Sequence, residues 1–153
     1  MDAVSLDAAL AKNKDMKAKI LVFPHHGGLP GNADPNEFTK KLMAAVQPET
    51  VLFSLGRAKF SNPHETILAS VIECSPTIHI GCTQLSSNCS ENLPELDREF
   101  DPQLYSAGTK ERYCCAGTME IPLSRGDISE PTNTRFKEFV LTHVPNGMCR
   151  RRK

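Results

Sequence analysis

The sequence contains no tryptophan, no net charge and no long apolar run, and each absence excludes a class of protein. Its 18 Lys and Arg residues equal its 18 Asp and Glu residues, so no overall field attracts nucleic acid or an anionic membrane. A membrane-spanning helix needs about 20 apolar residues in succession. The N-terminus also lacks the basic start and apolar core of a secretion signal. These absences predict a cytoplasmic protein without a membrane span.

The chain also lacks a C-x-x-C pair, although it has six cysteines. This absence disfavours a small cysteine-dependent redox protein. In a cytoplasmic chain, reduced thiols or metal ligands are expected rather than disulfides. Cys82 and Cys89 flank a loop, and Cys114 and Cys115 lie on a predicted strand. These four thiols are candidates for a structural zinc site, and the alternative is that they are small buried apolar residues.

The part of the chain before residue 90 alternates between predicted strands and helices. A helical pattern runs from Asp2 to Ala11, and "AKILVFP", "TVLFSLG" and "TIHIGC" are compact apolar runs typical of buried strands. Between these runs, "DPNEFTKKLMAAVQP" and "NPHETILASVIECSP" have the capping residues and spacing of helices. Alternation of this kind predicts an α/β fold with parallel βαβαβ connectivity.

The part of the chain after residue 89 differs in texture. Residues 1–89 are predicted to form the α/β unit, and residues 90–153 an irregular, cysteine-bearing extension packed on the same domain. The extension contains one further predicted strand, "YCCAGTMEIPL", and a weakly amphipathic piece, "RFKEFVLTHV". It ends in a basic cluster, Arg150 to Lys153, which is either a solvated end or a nucleic-acid contact.

Three histidines lie where strands end or helices begin. His25 and His26, in "LVFPHHGG", follow the first predicted strand, and neutral imidazole is a common zinc ligand. The glycines behind them would allow the backbone to approach a bound group closely. His64, in "NPHET", opens a helix, where the helix dipole disfavours a cation and favours a neutral, substrate-facing imidazole. For each histidine the alternative is an ordinary loop or surface residue.

The order of these features resembles the C-terminal half of metallo-β-lactamase-fold hydrolases. The likeness rests on "KAKILVFPHHGG", a helix, "TVLFSLG" and "NPHETIL", and it covers residues 1–82. It is greatest to the metallo-β-lactamase-like domain of bacterial competence (DNA-uptake) proteins. The resemblance implies that the βαβαβ unit is half of an αββα sandwich.

The resemblance also implies roles for individual residues. Asp2 would bridge two metal ions, zinc or manganese, although an ordinary helix N-cap is the alternative reading. One of His25 and His26 would complete the second metal site, and His26 and His64 would be catalytic, with His64 facing the substrate. The implied reaction is hydrolysis of a phosphodiester or nucleic-acid substrate.

The sequence departs from this family in one important way. The family's main metal motif, His-x-His-x-Asp-His, occurs nowhere in the 153 residues. A hydrolytic zinc site needs three or more protein ligands and a position for water. We therefore expect part of an enzyme, inactive without a missing N-terminal half or a partner chain; the surfaces that such a half leaves exposed would also allow a homo-oligomer. The alternative is a non-catalytic module of this fold that binds a partner through its sheet edge and helix faces.

Overall fold

The computed structural model describes residues 2–12, 15–56, 61–90, 121–122, 124, 138 and 140–149. Its elements, in chain order, are α1 (Ala3–Lys12), β1 (Ile20–Val22), a 3-10 turn (Pro24–Gly27), α2 (Pro35–Val46), β2 (Thr50–Phe53), α3 (Glu65–Cys74) and β3 (His79–Cys82).

The three strands form one parallel sheet in the order β1-β2-β3. Ile20 pairs with Thr50, which in turn pairs with His79 on the other side of β2. Both crossovers step in the same direction, so right-handed connections place α2 and α3 on one face of the sheet. The two helices pack against each other there. The predicted α/β fold with parallel βαβαβ connectivity is confirmed.

The helices begin where the sequence pattern predicts. Asp34 caps α2, its carboxylate accepting a hydrogen bond from the Glu37 backbone N–H at 2.8 Å, and Pro35 occupies the first turn. The helix ends at Val46 and is capped by Gln47, which has a left-handed backbone, φ 52°, and donates its N–H to the Met43 carbonyl. These caps satisfy backbone groups that the helix itself leaves without partners.

An aromatic cluster joins α2 to the sheet. The Phe23 ring lies 6.4 Å from the Phe38 ring, edge-on, and 5.3 Å from the Phe53 ring, measured between centroids. Because side chains alternate along a strand, Leu52 faces the opposite side of the sheet, where it is also buried. Its neighbour in the register, Val22, is 60% exposed. The second face of the sheet is therefore covered at β2 but open at the end of β1.

The regular strands are shorter than the apolar runs that predict them. β1 contains only Ile20–Val22 of the seven-residue run "AKILVFP", because the chain turns at Pro24. Of the predicted fourth strand, residues 113–120 and 123 lie outside the described part, and Ile121 and Pro122 are not in a strand.

In the C-terminal piece, Glu138 and residues 140–143 are helical, and Val140 and Val144 are buried in the core. This agrees with the amphipathic pattern of "RFKEFVLTHV". The basic residues Arg150 to Lys153 lie outside the described part. No helix among the described residues is long and apolar enough to cross a membrane.

Candidate functional site

The segment after β1 is a left-handed turn that carries both adjacent histidines. His25 (φ 51°, ψ 29°) and His26 (φ 57°, ψ 24°) both occupy the left-handed region, and Gly27 follows with φ 78°. The Gly28 N–H closes the turn by donating to the His25 carbonyl at 2.8 Å. A left-handed residue other than glycine costs roughly 1–2 kcal/mol. Two in succession must therefore be held by contacts elsewhere.

Gly27 makes a close contact that helps to hold this turn. It is buried, and a Cβ added there would lie 2.6 Å from Pro63 Cβ and 2.7 Å from Phe53 Cδ1. Its carbonyl also accepts the backbone N–H of His64 at 2.8 Å. The backbone of the turn is thus pressed against the end of β2 and the segment before α3, while both histidine side chains remain exposed.

The His26 ring is oriented by a backbone carbonyl of the next strand's loop. Its Nδ1 contacts the Ser54 carbonyl oxygen, just after β2. A carbonyl can only accept, so Nδ1 carries the hydrogen and the neutral ring keeps its lone pair on Nε2. This is the tautomer of a histidine that binds a metal through Nε2, and ligating histidines commonly donate their other N–H to a backbone carbonyl.

His64 has the opposite arrangement. It is the N-cap of α3, where its Nδ1 accepts a hydrogen bond from the Thr66 backbone N–H at 3.3 Å. The neutral ring therefore carries its hydrogen on Nε2 and can donate from that atom. One sheet edge thus holds an Nε2 acceptor in His26 and an Nε2 donor in His64.

The histidine turn and the Ser54 carbonyl both lie at the edge of the sheet formed by the carboxyl ends of the parallel strands. The histidine turn follows β1, Ser54 follows β2, and Thr83 follows β3; the Thr83 hydroxyl accepts the Leu55 N–H at 2.9 Å. In parallel α/β sheets, ligands bind at this edge. The histidine turn and His64 thus occupy the usual position of a binding site in the fold.

Asp2, the other predicted ligand, is the N-cap of α1. Its Oδ1 accepts the Ser5 backbone N–H at 2.8 Å, and this hydrogen bond holds the pKa of the exposed Asp2 carboxyl below its usual range. Within the described ranges, no three His, Cys, Asp or Glu side chains are grouped so that they could hold a metal ion. Asp2, His25 and His26 therefore do not by themselves form a metal site.

The cysteines contribute a second group of side chains, in the core. Cys82 and Cys89 are buried in one apolar cluster, and Cys149 packs against it. Burial raises the pKa of the Cys82 thiol well above its ordinary value, and Cys149 and Cys89 raise it further. Cys114 and Cys115 lie outside the described residues. The sequence did not single out Cys149, because only the fold brings it to the end of β3.

Two asparagines at the site carried no signal in the sequence. Asn62 Nδ2 donates to the His25 carbonyl at 3.4 Å, and Asn88 donates to two carbonyls just before His64. A cis peptide bond joins Asn62 to Pro63. Asn62 is next to the "PHET" pattern in the sequence. Asn88 is far from it in the sequence and contacts it only in the folded chain, so residue spacing could not have predicted the contact of Asn88.

In comparisons with known proteins, no protein-family model, curated protein or solved structure matches this chain.

Proposed function

We propose that residues 1–89 are the C-terminal half of a metallo-β-lactamase-type αββα sandwich and form part of a metal-dependent hydrolase. The substrate class would be phosphodiesters, nucleic acid among them. The observation that carries the proposal is that the histidine turn and the segment of His64 meet at the carboxyl edge of the sheet, where the Gly27 carbonyl accepts the His64 N–H at 2.8 Å, and that His26 and His64 each contact a backbone group through Nδ1.

His26 is the histidine of the adjacent pair that fits a metal ligand. Its Nδ1–H is directed to the Ser54 carbonyl, so Nε2 keeps a lone pair, and the ring is exposed. The left-handed turn costs free energy, and strain of this kind tends to concentrate at functional sites. His64 would instead donate from Nε2–H to an oxygen of the substrate, as its role in the resemblance requires.

The remaining ligands must come from outside this arrangement. Asp2 can contribute, since a carboxylate has about four acceptor positions and the backbone N–H and side chain of Ser5 use only some of them. With Asp2 and His26 alone the donor set stays below three, so further ligands of the His-x-His-x-Asp-His type would be supplied by residues beyond these 153. Zinc or manganese bound there would activate a water molecule for attack.

Metal titration of single variants tests this proposal. Isothermal titration with Zn²⁺ and Mn²⁺ is compared for wild type, His26→Ala, His25→Ala and Asp2→Asn, each completed by a His-x-His-x-Asp-His segment supplied in frame upstream or as a separate chain. We expect His26→Ala to weaken binding at least tenfold and His25→Ala to leave it within about threefold, since a lost ligand costs more than a lost neighbour. Asp2→Asn keeps the helix cap but removes the bridging carboxylate, so a tenfold loss is expected there as well.

Addition of a His-x-His-x-Asp-His segment, encoded in frame upstream or as a separate chain, should produce metal-dependent hydrolysis of bis(p-nitrophenyl) phosphate. That hydrolysis should be lost in His64→Ala. Equal metal binding by wild type and His26→Ala would overturn the proposal. So would the finding that no such segment is encoded, either in frame upstream or as a separate chain.

A second candidate function is a non-catalytic module that binds a partner or a second copy of itself. It is favoured by Val22, 60% exposed on the sheet face opposite the aromatic cluster, at the open end of β1. A structural zinc ion on Cys82 and Cys89 with Cys114 and Cys115 would accompany it. Bound zinc that survives His26→Ala but is lost in Cys82→Ala and Cys89→Ala, together with Val22→Asp shifting a dimer to monomer in light scattering, would select this function.

A further inference from the structure

The segment between Cys82 and Cys89 ends in a tight turn that presents Asn88. The backbone N–H groups of Cys89 and Ser90 donate to the Ser86 carbonyl at 3.0 and 3.2 Å, and the Asn88 N–H donates to Ser86 Oγ at 3.2 Å. Ser86 is buried, so the base of the turn is fixed in the core. The Asn88 side chain therefore starts from a rigid position.

The Asn88 amide group binds the residues that precede His64. Its Nδ2 donates to the Ser61 carbonyl at 2.8 Å and to the Pro63 carbonyl at 3.2 Å. Both partners can only accept, and the amide nitrogen carries two hydrogens, so one side chain satisfies both carbonyls. These bonds fix the backbone on both sides of Asn62.

The connection continues from this segment into the histidine turn. The His64 N–H donates to the Gly27 carbonyl at 2.8 Å, and Asn62 Nδ2 donates to the His25 carbonyl at 3.4 Å. Hydrogen bonds thus lead from Asn88, through residues 61–64, to the two left-handed histidines. We propose that Asn88 is a positioning residue that fixes His64, and through Gly27 the histidine turn, in the geometry the site requires.

The geometry favours positioning over a general contribution to stability. Both bonds of the Asn88 side chain end on the backbone of one short segment, and that segment leads directly into the N-cap of α3. The proposal rests on the proposed function for the roles of His26 and His64. The hydrogen bonds themselves can be tested without any enzyme assay.

The test is hydrogen exchange and imidazole ¹⁵N NMR on the full 153-residue chain. In Asn88→Ala we expect the His64 amide to exchange about tenfold faster, while amides of β2 and β3 keep their rates within twofold. The His64 ring should change from a single Nε2–H tautomer to a mixture, because its Nδ1 no longer aligns with the Thr66 N–H. Asn88→Asp keeps the volume but turns an acceptor toward both carbonyls, so its effect should be at least as large.

Asn32→Ala, at an exposed turn, is the matched control and should change neither readout. Equal acceleration of all amides in Asn88→Ala, or an unchanged His64 amide and tautomer, would overturn the positioning role. If both readouts move while His26→Ala leaves metal binding intact, the positioning role holds and the proposed hydrolase function fails.

Discussion

The histidine turn and the thiol cluster are built in opposite ways. In the histidine turn, residues 24–28, the backbone is held by buried contacts through Gly27 while the imidazoles of His25 and His26 are exposed. In the thiol cluster of Cys82, Cys89 and Cys149, the first two side chains are buried in the core and the third packs against them. The histidine turn is therefore packed through its backbone, and its imidazoles stay accessible to solvent. The thiol cluster is packed through its side chains, so its thiols are shielded from solvent.

This difference separates a site from a core. The His26 and His64 rings have nitrogens whose hydrogen positions are set by backbone partners, as a binding or catalytic group needs. Burial keeps the Cys82 thiol protonated, because its pKa is raised well above the ordinary value. In the metal-free chain we therefore expect reactivity at the histidines and inertness at Cys82.

The largest expected effect tests whether backbone packing holds the histidine turn. Gly27→Ala would place a methyl group 2.6 Å from Pro63 Cβ and 2.7 Å from Phe53 Cδ1, at φ 78°. Overpacking and left-handed strain together should lower the free energy of unfolding by about 3 kcal/mol. Gly31→Ala is the control, because its φ is 74° but nothing lies within 4 Å of the added Cβ. Strain alone should cost it about 1 kcal/mol.

Urea unfolding of both variants measures these values. Equal losses for Gly27→Ala and Gly31→Ala would mean that conformational strain, and not close packing, accounts for Gly27. The packing of Gly27 against Pro63 and Phe53 would then not be what holds the histidine turn.

The sequence predicted the helices and the parallel order of the strands because those depend on local signals. Asp34 followed by Pro35 is a helix-start signal that depends only on neighbouring residues. The alternation of apolar runs with helical patterns predicts βαβαβ connectivity. The left-handed backbone of His25 and His26 has no such signal, because histidine is enriched at positive φ but most histidines still have negative φ, so two histidines in succession do not predict this conformation. That conformation follows from how Gly27 meets Phe53 and Pro63, which only the folded chain brings together.

A smaller effect is expected from adding a polar atom to the thiol cluster. Cys82→Ser buries a hydroxyl in place of a weakly polar thiol and should lower the free energy of unfolding by about 2 kcal/mol. Cys74→Ser, at an exposed position, should change it by less than about 0.5 kcal/mol. Denaturant unfolding with EDTA present measures both, and equal values for the two variants would mean that Cys82 is not buried as described.

The same thiol predicts a pH dependence on the alkaline side. The pKa of Cys82 is raised in the folded chain, so the unfolded chain loses this proton first. The contribution of Cys82 is fully present below the ordinary thiol pKa, about 8.5, and is lost as the pH rises above it. Stability of wild type should therefore fall more steeply above that pH than stability of Cys82→Ala, and parallel curves would contradict the burial of this thiol.

The smallest expected effect is at Asp2, an exposed group whose carboxylate, like the imidazole of His26, contacts a backbone group. The hydrogen bond from the Ser5 N–H lowers the pKa of Asp2 in the folded chain. Its stabilising contribution is therefore present above the ordinary aspartate pKa, about 3.9, and is lost as the pH falls through the lowered value. Hydrogen exchange at the Ser5 amide should accelerate, relative to its intrinsic rate, as wild type is acidified through that range. Asp2→Asn caps the helix without titrating, so its protection should stay constant, and a matching acid-induced loss in Asp2→Asn would show that the carboxylate is not the group responsible.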